Sequence, residues 1–229
     1  MKNFLVIGGS SGIGKALVKL LSVDHHVFAT YHENEMTSNG NVKYYPLNVL
    51  NESLDFSFLP EIIDGLVFCP GTIQLKPFNR IPIADFMNDY ALNVGGAIKC
   101  IQAVFPNLKK SKDASIVLFS TVAVQVGMPF HSIVSSSKGA IEGLTKALSS
   151  EFAPTIRVNC IAPSLTDTPL AQSLLNSDEK ILASANRHPL KKIGTTNDIA
   201  SMAQFLLTEN SSWITGQIFH VDGGMSTIK

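Results

Sequence analysis

The chain is predicted to fold as one doubly wound α/β domain over residues 1–229, a parallel sheet with helices on both faces. Three observations carry this. Short β-rich apolar runs recur at FLVI (4–7), VFA (27–29), GLVFC (65–69), SIVLFS (115–120), IRVNCI (156–161) and QIFHV (217–221). Stretches of helical period alternate with them, which implies βαβ units and a sheet covered on both sides. No Pro/Ser-rich linker, repeat or low-complexity tract divides the chain. At 229 residues, 45% hydrophobic, it has room for one large core or two small ones. Without a linker, one is the economical reading.

Each element follows in order. FLVI leads directly into GGSSGIG (8–14), and Ile13, Ala16, Leu17, Leu20 and Leu21 then mark one helix face. VFA is the second strand. Residues 50–60 leave room for only a short helix or turn before GLVFC. Long helices are read at about 83–110 and 135–153, the latter with Ile141, Leu144, Leu148 and Phe152 on its apolar face. Lys138 is read in the first turn of that helix, where its charge opposes the macrodipole. TNDIASMAQFLLT (196–208) is a further helix, with Thr195, Thr196 or Asn197 as cap.

Composition narrows the function. Eighteen basic residues balance eighteen acidic ones, so neither nucleic acid nor an anionic membrane is an expected partner. Cys69, Cys100 and Cys160 lie far apart with no CxxC spacing. That argues against a metal site or disulfide framework and fits a reducing cytoplasm. The opening MKNFLVIGGSSGIG is too short in apolar residues for a signal-peptide core or a membrane span, so a soluble cytoplasmic protein is expected.

The glycine loop carries chemistry. Between a strand and a helix, glycines permit a tight turn and bring backbone N–H groups to a pyrophosphate at the helix N-terminus. Ser10 and Ser11 offer further donors. The alternative is a plain glycine-rich turn; the flanking strand and amphipathic helix favour a nucleotide.

Gly8, Gly12 and Gly14 resemble the TGxxxGxG loop of the short-chain dehydrogenase/reductases, with Ile7 in place of threonine. The resemblance runs through the whole chain. LNV (47–49) is similar to the family's D-V element, with Asn48 for aspartate. CPG (69–71) stands at the NNAG position and keeps Gly71. Asn93 matches the active-site asparagine. IRVNCIAPSLTDTPL (156–170) resembles IRVNxIxPGxxxTP, with Ser164 for glycine. HPLKKIGTTNDIA and ITGQIFHVDGG resemble the family's C-terminal third. The resemblance implies a Rossmann-type fold and a nicotinamide cofactor held by Gly8, Ser10, Ser11, Gly12, Ile13, Gly14, Tyr31, Asn48, Val49, Gly71, Lys138, Pro163, Thr166 and Thr168. It also implies a homo-oligomer, a dimer or tetramer, built through the two long helices and the last strand. NADP(H) is favoured over NAD(H), because Thr30, Tyr31 and His32 end the second strand without a carboxylate for the ribose 2′-OH, and Glu33 comes later. Lys15 and His32 are candidates for a 2′-phosphate.

The family's catalytic pair is YxxxK, with a serine thirteen residues before the tyrosine. Lys138 matches the lysine. Four residues back stands Val134, and thirteen before that stands Thr121. Lysine and asparagine match, threonine replaces serine, and the tyrosine is absent. All four tyrosines lie far upstream, Tyr90 being one turn before Asn93. His131, three residues from Val134 in an expected loop, is the side chain best suited to act as acid at neutral pH; a water or the substrate itself are the alternatives. The catalytic set is therefore Lys138, Thr121, Asn93 and His131. Leu170, Leu174 and Leu175, within 164–190, form either an apolar lid or helix-packing contacts. Two functions stay open: an NADP(H)-dependent oxidoreductase on a small carbonyl/alcohol or activated C=N or C=C substrate, and a non-catalytic dinucleotide-binding sensor or assembly protein.

Overall fold

All six apolar runs become strands in the computed structural model, which describes residues 1–228. They are β1 (Asn3–Ile7), β2 (His26–Tyr31), β4 (Gly65–Phe68), β5 (Ala114–Phe119), β6 (Ile156–Pro163) and β7 (Ile218–Val221). A seventh, β3 (Val42–Pro46), joins them in one sheet of order β3-β2-β1-β4-β5-β6-β7, every pair parallel. β3 escapes the hydrophobic pattern because it is an edge strand, with Lys43 and Pro46 exposed and its remaining residues half-buried.

Alternate strand residues point to opposite faces. Leu5, Leu66, Ile116 and Val158 pack under α3 (Gly96–Leu108) and α5 (Ser132–Phe152). Val6, Val67, Val117 and Ile161 pack under α1 (Gly12–Leu21) and α7 (Thr196–Leu207). α7 starts from a capping box: Thr195 accepts from the Asp198 amide, and the Asp198 carboxylate accepts from the Thr195 amide. Residues 50–60 hold turns and no helix.

The segment read as one helix over about 83–110 has three parts: α2 (Ile83–Tyr90), a π-turn (Ala91–Gly95) and α3. The expected 135–153 helix begins earlier, at Ser132, and ends at Phe152. Ile133 and Val134 are buried, and their packing draws a serine-rich stretch of weak helix propensity into the helix. Lys138 is thus past the first turn, where the end field has faded, and the adverse dipole expected there is corrected. The single-turn α4 (Ala123–Val126) and α6 (Asp178–Asn186) complete the helices used below. No helix among the described residues is long and apolar enough to cross a membrane. The order of β1, β2 and β4 reverses direction at β1, which opens a crevice at the carboxyl ends of β1 and β4.

Candidate active site

The glycine loop enters that crevice. Gly8, at φ +77°, donates its N–H to Thr30 Oγ1 at 3.1 Å, and Gly9 N donates to Thr30 O at 2.8 Å. A Cβ on Gly14 would stand 2.2 Å from the Gly8 carbonyl oxygen, so only glycine lets α1 seat against the loop. Ser11 is the extended N-cap of α1 and makes no side-chain cap bond, which leaves the helix's first amides available to an anion. Ser10 is half-buried and Ile13 reaches the cavity described below. Thr168 closes the loop from the far side: its Cβ is 3.6 Å from where a Gly12 Cβ would be.

The outer end holds the adenosine-side candidates. Tyr31 ends β2, and His32 and Glu33 follow it into solvent, 4.0 Å apart. Asn48 Oδ1 accepts from Leu50 N at 2.9 Å, and Val49 is buried against the position a Gly96 Cβ would take.

At the inner end three elements meet. Gly71 follows β4, Asn93 sits in the π-turn, and Lys138 comes from α5. An ideal Cβ on Gly71 would be 3.4 Å from both Asn93 Oδ1 and Lys138 Nζ. Asn93 is fully buried; its Nδ2 donates to Asp89 O at 3.0 Å, while Oδ1 has no partner among the described residues. Lys138 is 8% exposed and has no carboxylate within ion-pair distance among the described residues. Burial pushes its ammonium down to about 8; Cys160, Asp89 and Cys69 oppose this. Burial also pushes both thiols up to about 12, so at neutral pH they carry no charge and Asp89 is the opposing anion.

A cavity of about 350 Å³ opens beside this cluster, lined by Thr121, Val134, Lys138, Pro163, Thr166 and Thr168 among others. Val134 and Lys138 are one helical turn apart and face it together. Thr121 Oγ1 accepts from Ala123 N at 3.3 Å. Neighbouring Ser120 is engaged elsewhere, donating to Glu142 Oε1 at 2.6 Å. Thr166 donates to Ser164 O at 2.9 Å. His131 is the last residue of the loop before α5, at its N-cap position, and its Nδ1 donates to Pro129 O at 2.7 Å; the residue lines the cavity. Tyr90 is 46% exposed and lies outside the lining, so the phenol nearest in sequence to Asn93 does not fill the gap. Leu170 and Leu174 line the cavity, whereas Leu175 is buried away from it.

Two further residues, Asp89 and His188, sit at the site although the sequence singles out neither as functional. Asp89, 1% exposed, accepts a short hydrogen bond from Thr72 beneath Asn93. The one available cue is a carboxylate four residues before Asn93, on the same helix face. His188, 3% exposed, lines the cavity from just beyond α6.

The orphaned Asn93 oxygen, the unpaired buried lysine and the uncapped α1 terminus fit a dinucleotide running from the glycine loop to Gly71. Comparison with known proteins points the same way. Residues 56–226 match the family described as Enoyl-(Acyl carrier protein) reductase. A tropinone reductase homologue of Arabidopsis thaliana is 32% identical, over 98% of this chain and 92% of its own. A short chain dehydrogenase family protein from Francisella tularensis superimposes with a TM-score of 0.89 at 31% identity, covering 99% of both chains. ElxO, in a structure with NADP bound, has a TM-score of 0.86 at 28% identity and covers 98% of both.

Proposed function

Because the chain belongs to the short-chain dehydrogenase/reductase family of oxidoreductases, we propose that it transfers a hydride between NADP(H) and a small substrate. The substrate is a carbonyl/alcohol pair or an activated C=N or C=C bond, and Val134 stands where the family has its tyrosine. The observation that carries this reading is that Lys138 and Thr121 line one cavity from separate elements, with the buried Asn93 Oδ1 meeting Lys138 Nζ behind Gly71 at its edge.

The bound nicotinamide supplies the hydride; the protein's residues do the rest. Gly8, Ser10, Ser11, Gly12, Ile13 and Gly14 receive the pyrophosphate at the α1 N-terminus. Tyr31, Asn48 and Val49 border the adenosine. Gly71, Lys138, Pro163, Thr166 and Thr168 hold the nicotinamide half. Thr121 donates to the substrate oxygen, and the Lys138 charge stabilises that oxygen as negative charge develops. Asn93 holds the π-turn open toward Lys138. His131, its Nδ1–H donating to Pro129 O, leaves Nε2 for the substrate, and this nitrogen is the candidate acid when the ring is doubly protonated. A substrate that needs little protonation, such as a pterin-like or conjugated imine ring, is best matched to a site without a phenol.

One observation favours the second reading, a dinucleotide-binding sensor or assembly protein: Val134 cannot pass a proton. NADPH oxidation against a panel of carbonyls and pterins decides between them. Turnover on any member supports the enzyme; tight NADPH binding with none supports the sensor.

NADPH is expected to bind more tightly than NADH. No carboxylate stands on Tyr31 or His32, and Glu33 is exposed in the loop beyond. Fluorescence titrations with both cofactors check this, and tighter NADH binding would reverse the assignment.

The protein is also proposed to be a homo-oligomer, a tetramer in preference to a dimer. Ile83, Met87 and Tyr90 line one exposed face of α2 beside exposed Phe78, and Trp213 is 99% exposed just before β7. Apolar surface of this kind favours association. Light scattering at micromolar concentration is expected to give a multiple of 24.7 kDa, and a monomer mass rejects the assignment.

A further inference from the structure

Ser164 and His188, 24 residues apart, form a hydrogen-bonded pair in the wall of the same cavity. Ser164 is the first residue past β6. β5 and β6 pair Phe119 with Ile161, and Val122 N donates to Pro163 O at 3.1 Å. Thr121 and Ser164 therefore leave the sheet side by side. His188 Nδ1 is 2.8 Å from the Ser184 carbonyl oxygen. A carbonyl only accepts, so this network assigns the ring hydrogen to Nδ1. In the neutral ring Nε2 is then the acceptor, and Ser164 Oγ, 2.8 Å away, donates to it. Met225 Sδ, 3.1 Å from the same oxygen, is a weak competing acceptor.

Two bonds are enough to satisfy a buried imidazole, and a purely structural role would require nothing more. The location adds to this. A hydroxyl coupled to an oriented base is the arrangement that activates serine for proton transfer. Here it stands next to Thr121, in a cavity whose lining includes the valine that stands where a phenol would be. A serine hydroxyl alone is too weak an acid or base; the imidazole behind it removes that limit.

We propose that Ser164, coupled to His188, is the group that exchanges the substrate's proton in place of the missing phenol. The proposal rests on the oxidoreductase reading above. In the oxidising direction the alcohol O–H proton passes to Ser164 Oγ as the Ser164 proton passes to His188 Nε2. The C–H bond breaks as a hydride, taken up by an oxidised nicotinamide, and the C=O bond forms. The neutral ring is the base form for this direction. Reduction runs in reverse: the imidazolium Nε2–H returns its proton to Ser164, whose own proton goes to the substrate oxygen. Ser164 is the catalytic residue and His188 the positioning residue behind it.

The test compares wild type, Ser164→Ala, Ser164→Thr and His188→Gln, each also in a Val134→Tyr background. Rates of NADPH oxidation are measured with the carbonyl that the wild type reduces best. Ser164→Ala and His188→Gln are expected to lower kcat by roughly 10²-fold or more, with NADPH affinity unchanged. Ser164→Thr keeps a hydroxyl and should keep most of the rate. In the Val134→Tyr background the phenol carries the proton, and the same losses should shrink to a few-fold. Independently of turnover, ¹⁵N NMR of labelled histidine should show His188 as the Nδ1–H tautomer, with Nε2 shifting in Ser164→Ala. If His188→Gln does not fold, Ser164→Ala carries both readouts. A wild type that turns over while Ser164→Ala and His188→Gln retain kcat, or a His188 signal indifferent to Ser164→Ala, overturns the relay alone. A wild type that binds NADPH and reduces nothing overturns the oxidoreductase reading and the relay with it.

Discussion

Val134→Tyr is expected to raise activity toward simple ketones and diketones by one or more orders of magnitude, within the roughly 10²–10⁴-fold that a positioned general acid supplies. Val134 lines the cavity one turn before Lys138, on the same face of α5. A phenol there would lie beside a lysine whose positive charge lowers its pKa. The cavity of about 350 Å³ gives the ring space, so the 1–3 kcal/mol typical of overpacking should be largely avoided. NADPH affinity should hold, because Lys138 and the glycine loop are untouched. Steady-state NADPH oxidation and thermal melts on wild type and variant provide the check. A well-folded variant with no gain on any carbonyl would mean that more than the acid is missing. His131→Ala in the wild-type background separates the two candidate acids: it abolishes native turnover if His131 is the donor, and leaves it intact if Ser164 and His188 are.

Lys138→Met is expected to lose activity by roughly 10²-fold or more while the cofactor-free protein becomes more stable. The reason is the buried charge. Lys138 is pushed down from 10.5 to about 8 by desolvation, which corresponds to roughly 3 kcal/mol at pH 7. The sign follows from proton counts. Between pH 8 and 10.5 the unfolded chain keeps the lysine proton that the folded chain has shed, so wild-type stability rises with pH across that window. Below pH 8 both states hold the proton, and the cost of burying it is fully present. Melts of apo wild type and Lys138→Met should therefore differ most at pH 7, by something on the order of 5–10 °C. The difference should narrow as pH approaches 10. A gap that is independent of pH would show that Lys138 is not buried as a charge. Saturating NADPH should stabilise the wild type more than the variant, since only the wild type gains a partner for the ammonium.

The amino-acid pattern alone determined the architecture, and the proposal that a phenol is missing also starts from it. Strand and helix periods are local properties, set by which residues four or two positions apart share a face, so β1, α1, β5, β6 and α7 could be read directly. The family resemblance, counted back from Lys138, likewise pointed to Val134 and Thr121 as the tyrosine and serine positions without coordinates. Elements with no apolar face of their own were not legible. β3 exposes Lys43 and Pro46 and becomes a strand only by pairing with β2. The start of α5 was placed late because its serines are poor helix formers, and burial of Ile133 and Val134 overrides their propensity. That shift moved Lys138 out of the first turn and replaced a dipole cost with a desolvation cost. The rest of the site was decided by tertiary structure. Asp89 meets Thr72 across 17 residues and Ser164 meets His188 across 24. Such pairs leave no periodic trace, because their partners are brought together by the packing of the sheet's carboxyl edge against the loops above it, a long-range geometry that no local spacing encodes.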